Sequence, residues 1–99
     1  MMMNHLILAK FKPEYTAEQK AAMLPDIRRI FGETLSINGI TDVQVFTNCV
    51  DRSNRYDLMI RLTMDRSALE TYDACVWHKE WKDRYGDMLE KKAIFDYEI

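Results

Sequence analysis

Two cysteines, two prolines, three glycines and two histidines occur in a chain of 99 residues. Cys49 and Cys75 stand far apart and form no CxxC or Cys/His ligand spacing, which excludes a disulfide scaffold and a zinc ribbon. We therefore expect reduced thiols in a cytoplasmic protein, with no metal site. So little Gly and Pro excludes collagen-like and low-complexity chains. The opening stretch Met1 to Lys10 is too short for the apolar region of a signal peptide and far too short for a membrane span. No GxGxxG, Walker-type loop, GxSxG or HExxH is present, so nucleotide-binding, serine-hydrolase and zinc-protease readings have no support, and no cofactor is expected. Fourteen basic residues against sixteen acidic ones give a net charge of −2. Without a Lys/Arg stripe, that balance gives no footprint for nucleic acid.

What the chain does have is a globular composition, 47% hydrophobic and 30% charged, which predicts one folded domain over residues 1–99. A domain of this size buries a modest fraction of its surface, and dimerisation would add to it.

Alternating residues predict a first strand from Met3 to Lys12. Met3, His5, Ile7, Ala9 and Phe11 share one face, and Leu6 and Leu8 keep the other apolar, so both faces should be covered. Thr16-Ala17-Glu18-Gln19 has the form of a capping box, placing a helix from Ala17 to about Phe31 or Gly32, kinked or restarted at Pro25. Asn38-Gly39 marks a turn. Strands follow at Ile40–Cys49 and Tyr56–Met64, joined through the polar turn Asp51–Asn54 as a hairpin. Asp65 is placed to cap a helical stretch running to about Leu89 or Glu90, and Ala93–Ile99 alternates as a last strand. The order β-α-β-β-α-β is that of the ferredoxin-like α+β fold, a four-stranded antiparallel sheet covered by helices on one side. Its open side would leave Leu6, Leu8, Phe46, Met59 and Ile94 in water, which favours a homodimer joined through that face.

The densest aromatic stretch is Thr71 to Trp81. Leu69, Tyr72 and Val76 lie on one helical stripe and Trp77, Trp81, Tyr85 and Met88 on another, so two helical pieces should meet near Val76 and Trp77, with His78 opening the second. A histidine held by a helix suits acid or base work. Yet a Trp/Tyr stripe is also what a packed core looks like, and His5, on the apolar face of the first strand, reads equally well as a buried neutral imidazole.

Taken together, the run His5 to Pro13, the Arg55-Tyr56-Asp57-Leu58 lead-in to the third strand, the Tyr72 to His78 segment and the closing Phe95-Asp96-Tyr97 resemble the stress-responsive dimeric alpha/beta-barrel domain family. The resemblance covers nearly the whole chain. It implies a ferredoxin-like subunit that dimerises through its sheet into a central barrel, with a small cavity between sheet and helices. The chain is similar to olivetolic acid cyclase-type members, which close a linear polyketide by aldol condensation, in carrying His5, Tyr72 and His78. The resemblance implies that His78 is a general base, that Tyr72 orients it, and that His5, Ile27, Leu58, Trp77 and Trp81 line a substrate pocket. The family pattern His-Pro-x-His is here Cys75-Val76-Trp77-His78. Ile27 and Leu58 are apolar where the cyclase is polar, which points away from the cyclase substrate.

Three functions follow as expectations. One is proton-transfer chemistry, cyclase- or isomerase-like, on a small and largely apolar carbonyl compound. Another is a non-catalytic dimeric module that binds a small apolar molecule or simply packs its cavity. The third is a monooxygenase using Asn4, Trp77 and His78, although adjacent residues on a helix point about 100° apart.

Overall fold

The computed structural model describes residues 1–99. Strand β1 (Met2–Phe11) leads to helix α1 (Ala17–Glu33), then to strands β2 (Ile40–Thr47) and β3 (Leu58–Asp65), helices α2 (Leu69–Asp73) and α3 (Val76–Tyr85), and strand β4 (Leu89–Glu98). The four strands form one antiparallel sheet in the order β2-β3-β1-β4. This is the ferredoxin-like arrangement expected from the sequence.

Side-chain alternation decides what each face does. Met3, His5, Ile7, Ala9 and Phe11 of β1 and Leu58, Ile60, Leu62 and Met64 of β3 are all buried beneath the helices. From α1 come Ile27, Ile30 and Phe31, and from α2 and α3 come Tyr72, Trp81 and Tyr85, all in the same core. Burying a side chain such as Ile27 or Phe31, each fully enclosed, contributes about 1.5–3 kcal/mol.

The Thr16 capping box forms as the sequence requires: Gln19 donates its backbone N–H to Thr16 Oγ1 at 3.1 Å, and the Gln19 side chain accepts from the Thr16 N–H at 2.8 Å. Pro25 neither ends nor restarts α1, which is unbroken to Glu33. Pro25 and Ala21, whose carbonyl loses its partner, both lie on the exposed side, where solvent can satisfy the freed oxygen.

Other boundaries differ from expectation. β2 stops at Thr47 and β3 starts at Leu58, because Asn48 instead bonds across the loop to the Asp57 and Tyr56 carbonyls. Asp65 does cap, accepting from Ser67 N–H at 3.0 Å, but it caps a 3-10 turn over Arg66–Ala68 rather than the α-helix itself. β4 begins at Leu89, inside the stretch expected to be helical, after a 3-10 turn over Gly86–Met88. Ile94 pairs with Ile7 and therefore lies on the helix side of the sheet; Phe95, paired with Leu6, is the residue on the open face. Register, which alternation within a single strand leaves open, makes that assignment.

Two contacts hold the helical layer in place. Gly39, at φ 100°, lets β2 start under the Arg66–Ala68 turn, where a Cβ would come 3.0 Å from that of Ala68. Asp26 of α1 accepts from Tyr85 Oη at 2.6 Å, Arg84 at 2.9 Å and Arg29 at 3.0 Å, which locks α1 to α3. The Tyr85 hydroxyl is the chief reason that the Asp26 carboxyl falls from 3.8 to about 2, with the two arginines adding to it.

Gly39→Ala should destabilise the chain by about 1–2 kcal/mol, from the left-handed backbone and the close Ala68 contact, read from the urea midpoint. Tyr85→Phe should cost about 1 kcal/mol at neutral pH. A carboxyl with a depressed folded-state pKa stabilises above its unfolded value and loses that contribution as pH falls through the folded one. The gap between wild type and Tyr85→Phe should therefore shrink between pH 4 and 2, measured by denaturation at each pH.

Candidate active site

The break between α2 and α3 builds the site. α2 ends at Asp73, and Cys75 adopts the extended conformation of an N-cap, its Sγ accepting the His78 backbone N–H at 3.3 Å. The two helical pieces thus meet at Ala74 and Cys75, two residues before the expected point. That shift takes Val76 off the Tyr72 stripe and leaves it 65% exposed.

His78 sits in the first turn of α3, half-buried, and its Nδ1 lies 2.9 Å from the Asp73 carbonyl oxygen. A carbonyl only accepts, so Nδ1 carries the proton and the neutral ring keeps an unprotonated Nε2. Burial lowers the His78 pKa below 6.5, and the Lys82 and Lys92 charges push the same way, against the Asp73 hydrogen bond. The neutral, base-competent form is therefore favoured near pH 7.

Tyr72 is fully enclosed, with its ring 5.0 Å from that of His78 and 5.5 Å from that of His5. Its hydroxyl is buried without a hydrogen-bond partner. Burial raises its pKa well above the usual phenol value, so the group is a proton-bearing donor. His5, also buried, places Nδ1 2.5 Å from Asp96 Oδ1 across the β1–β4 pair. A carboxylate at that distance orients the imidazole with Nδ1–H toward it.

Four residues therefore come together: His5, Tyr72, His78 and Asp96. Asp96 was missed as a site residue, although its alternation with Phe95 and Tyr97 was visible; only the pairing of His5 with Asp96 aims its carboxylate at the helix side. Trp81 follows His78 on α3 but packs on Phe31 and Tyr85, at 5.2 and 5.6 Å between ring centroids. Trp77 is half-buried against the core, and Ile27 is fully enclosed within it. Leu58 does not join the group. It pairs with Ala9, four residues along β1 from His5, or roughly 13 Å at strand spacing.

Tyr72 itself is fully enclosed in the isolated chain. Depressions of about 230, 240 and 500 Å³ lie elsewhere, lined neither by Tyr72 nor by His78. The second of them touches Asp96, beside Met3, Leu69 and Arg66. No cluster of three or more His, Cys, Asp or Glu side chains is arranged to hold a metal ion. Asn4 lies on the open face of the sheet, bonded to Tyr97 and Thr63, with the sheet between it and His78. The three residues of the monooxygenase reading thus do not share one site.

A four-stranded antiparallel sheet with helices on one face and imidazoles between the layers defines a ferredoxin-like α+β subunit. The chain belongs to the stress-responsive A/B barrel domain family, which matches residues 3–99. No curated protein sequence matches it. Among solved structures it is similar to a dimeric ferredoxin-like protein of unknown function from Bacteroides fragilis, with 17% identity over 99% of this chain and 96% of the other and a TM-score of 0.83. It is also similar to a hydroxynitrile lyase from Passiflora edulis, with 13% identity over 99% and 93% and a TM-score of 0.74. A third is a candidate antibiotic biosynthesis monooxygenase from Nitrosomonas europaea, with 12% identity over 97% and 88% and a TM-score of 0.79. At these identities the likeness is one of fold.

His78 should titrate below 6.5 and show the Nδ1–H tautomer in its neutral form, both read from imidazole nitrogen chemical shifts across pH 5–8. A predominantly Nε2–H ring would remove the base assignment.

Proposed function

We propose that the chain is a single-domain, homodimeric protein that carries out proton-transfer chemistry, cyclase- or isomerase-like, on a small and largely apolar carbonyl compound. The observation that carries this reading is the Tyr72 hydroxyl, buried without a partner on a ring that contacts both imidazoles. An unpaired buried hydroxyl costs about 1–3 kcal/mol, a cost that a substrate oxygen would remove. His78 Nε2 takes a proton from the carbon beside the carbonyl. The negative charge that develops on the carbonyl oxygen accepts a hydrogen bond from Tyr72 Oη–H, which stabilises an enolate more than the neutral ketone. The proton held on His78 Nε2 is then returned from that same atom to the enolate, and His5, held by Asp96, packs against the Tyr72 ring and fixes its position. Ile27, Trp77 and Trp81 supply apolar surroundings. The hydroxynitrile lyase of similar fold supports enzymatic chemistry on this scaffold.

Homodimerisation through the open sheet face accounts for Phe46, Phe95 and Tyr97, which are 39%, 62% and 40% exposed, and agrees with the description of the Bacteroides fragilis neighbour as dimeric. No helix is long and apolar enough to cross a membrane. Two free cysteines, one of them exposed, fit a reducing compartment, and we place the protein in the cytoplasm.

A second reading, a non-catalytic dimeric module, is favoured by one observation: Tyr72 is fully enclosed, and the depressions of about 230, 240 and 500 Å³ do not reach it. The two readings separate in a deuterium-exchange assay. Wild type in D2O should exchange the α-protons of some members of a panel of small ketones and keto acids, followed by NMR. His78→Ala should reduce that rate by 10²-fold or more, the typical scale for a general base, while Tyr72→Phe lowers it and leaves the folded dimer intact. Exchange that is equal in His78→Ala and wild type would remove the catalytic reading.

A further inference from the structure

The lysines differ in what their ammonium groups meet. Lys10, Lys20 and Lys79 pair with Glu90, Asp57 and Asp83, and Lys91 lies over the Tyr56 ring at 5.2 Å. Lys82 and Lys92 are exposed and form no ion pair. They reach one place from two elements. Lys82 stands four residues after His78 on α3, so the two side chains share a face one turn apart. Lys92 pairs with Ala9, which is fully buried beneath the helices, so its side chain rises on the helix side of β4.

Lys92, Ile94 and Asp96 alternate along that side of β4, from an unpaired ammonium group to the carboxylate that holds His5. The helices leave this strip open: Ile94 is 49% exposed, although Ile7 beside it on β1 is buried. An apolar floor with a cationic end thus runs along the edge strand toward His78. Burial and the charges of Lys82 and Lys92 weaken His78 as a base, against the hydrogen bond and charge of Asp73. Uncompensated cations beside a group that has to gain a proton oppose its task. An anion seated on the two ammonium groups removes that opposition at the moment the base acts.

We propose that the substrate is an oxo acid, its carboxylate held by Lys82 and Lys92, its short alkyl spacer over Ile94, and its ketone directed to Tyr72 and His78. The inference rests on the proton-transfer reading and names the substrate class. His78 Nε2 takes the proton from the carbon beside the ketone, and the C–H electron pair becomes the enolate double bond. The negative charge moves to the oxygen that Tyr72 Oη–H bonds, and the same proton returns from Nε2. Because the lysines stand a helical turn or a strand away from the base, the carboxylate is separated from the reacting carbon. A neutral ketone leaves both ammonium groups uncompensated and meets the weaker base. Charge therefore selects the acid over a neutral compound of the same shape.

Levulinate and its methyl ester test this on the full chain, since the ester removes the charge and leaves the ketone and its α-hydrogens in place. Titration with levulinate, followed by imidazole nitrogen shifts across pH, should raise the His78 pKa, and the ester should leave it where it was. Deuterium exchange should favour levulinate in kcat/KM by about tenfold, the scale of two exposed ion pairs, and added salt should shrink that preference. Lys82→Met and Lys92→Met should each reduce the preference and raise the His78 pKa of the ligand-free protein. The double variant should abolish the preference, and Lys92→Arg should keep it. Equal exchange of both compounds, with a His78 pKa that neither moves, would overturn the oxo-acid inference and leave the proton-transfer reading standing. A His78 pKa raised by levulinate alone, with no exchange of either compound or of any ketone, would overturn the proton-transfer reading and leave the lysines as an anion-binding pair.

Discussion

The pairing of β1 with both β3 and β4 is the constraint on which the rest depends. β1 is the strand whose two neighbours come from distant parts of the chain, and each of its residues commits a whole row to one face. Because His5 points under the helices, Leu62 and Asp96 do too; because Leu6 points away, so do Arg61 and Phe95. A slip of one residue would move His5 and Asp96 to the open face and bring Leu6 and Phe95 under the helices. The candidate site and the open face are thus two consequences of one register.

Above the sheet, the helical layer places the second imidazole. The interruption at Ala74 and Cys75 lets the Asp73 carbonyl leave the helical ladder and accept from His78 Nδ1. A continuous helix would have used that oxygen for its own backbone. The thiol of Cys75 caps the new helix in place of the hydroxyl or carboxylate more often found there. The same segment therefore both ends one helix and sets the tautomer of the histidine in the next. The Asp26 cluster between α1 and α3 holds that segment against the sheet.

Within the site, burial acts in two directions. It keeps Tyr72 protonated and His78 neutral, so the donor and the base are set by the same low-dielectric surroundings. It also encloses Tyr72 in the isolated chain, so access to its hydroxyl requires movement of the helical layer. Leu58 illustrates how local that environment is: it is apolar, buried and on the same face, yet it lies four residues along the sheet from the pair of His5 with Leu62.

The sequence by itself determined the fold class, the capping box at Thr16, the buried face of β1 and the existence of a helix break before His78, because each is a local pattern of period, cap or alternation. His78 stands out in the sequence as a histidine opening a helix, the family resemblance adds roles for Tyr72 and His5, and the fold brings the three rings together. The tertiary structure alone decided which face β4 turns to the helices, and with it the exchange of Ile94 for Phe95 on the open side and the entry of Asp96 into the site. It also decided the start of β4 at Leu89, where pairing with β1 at Phe11 outweighs a sequence compatible with helix. Register is a relation between strands far apart in the chain, and alternation within one strand is the same for both of its two possible orientations.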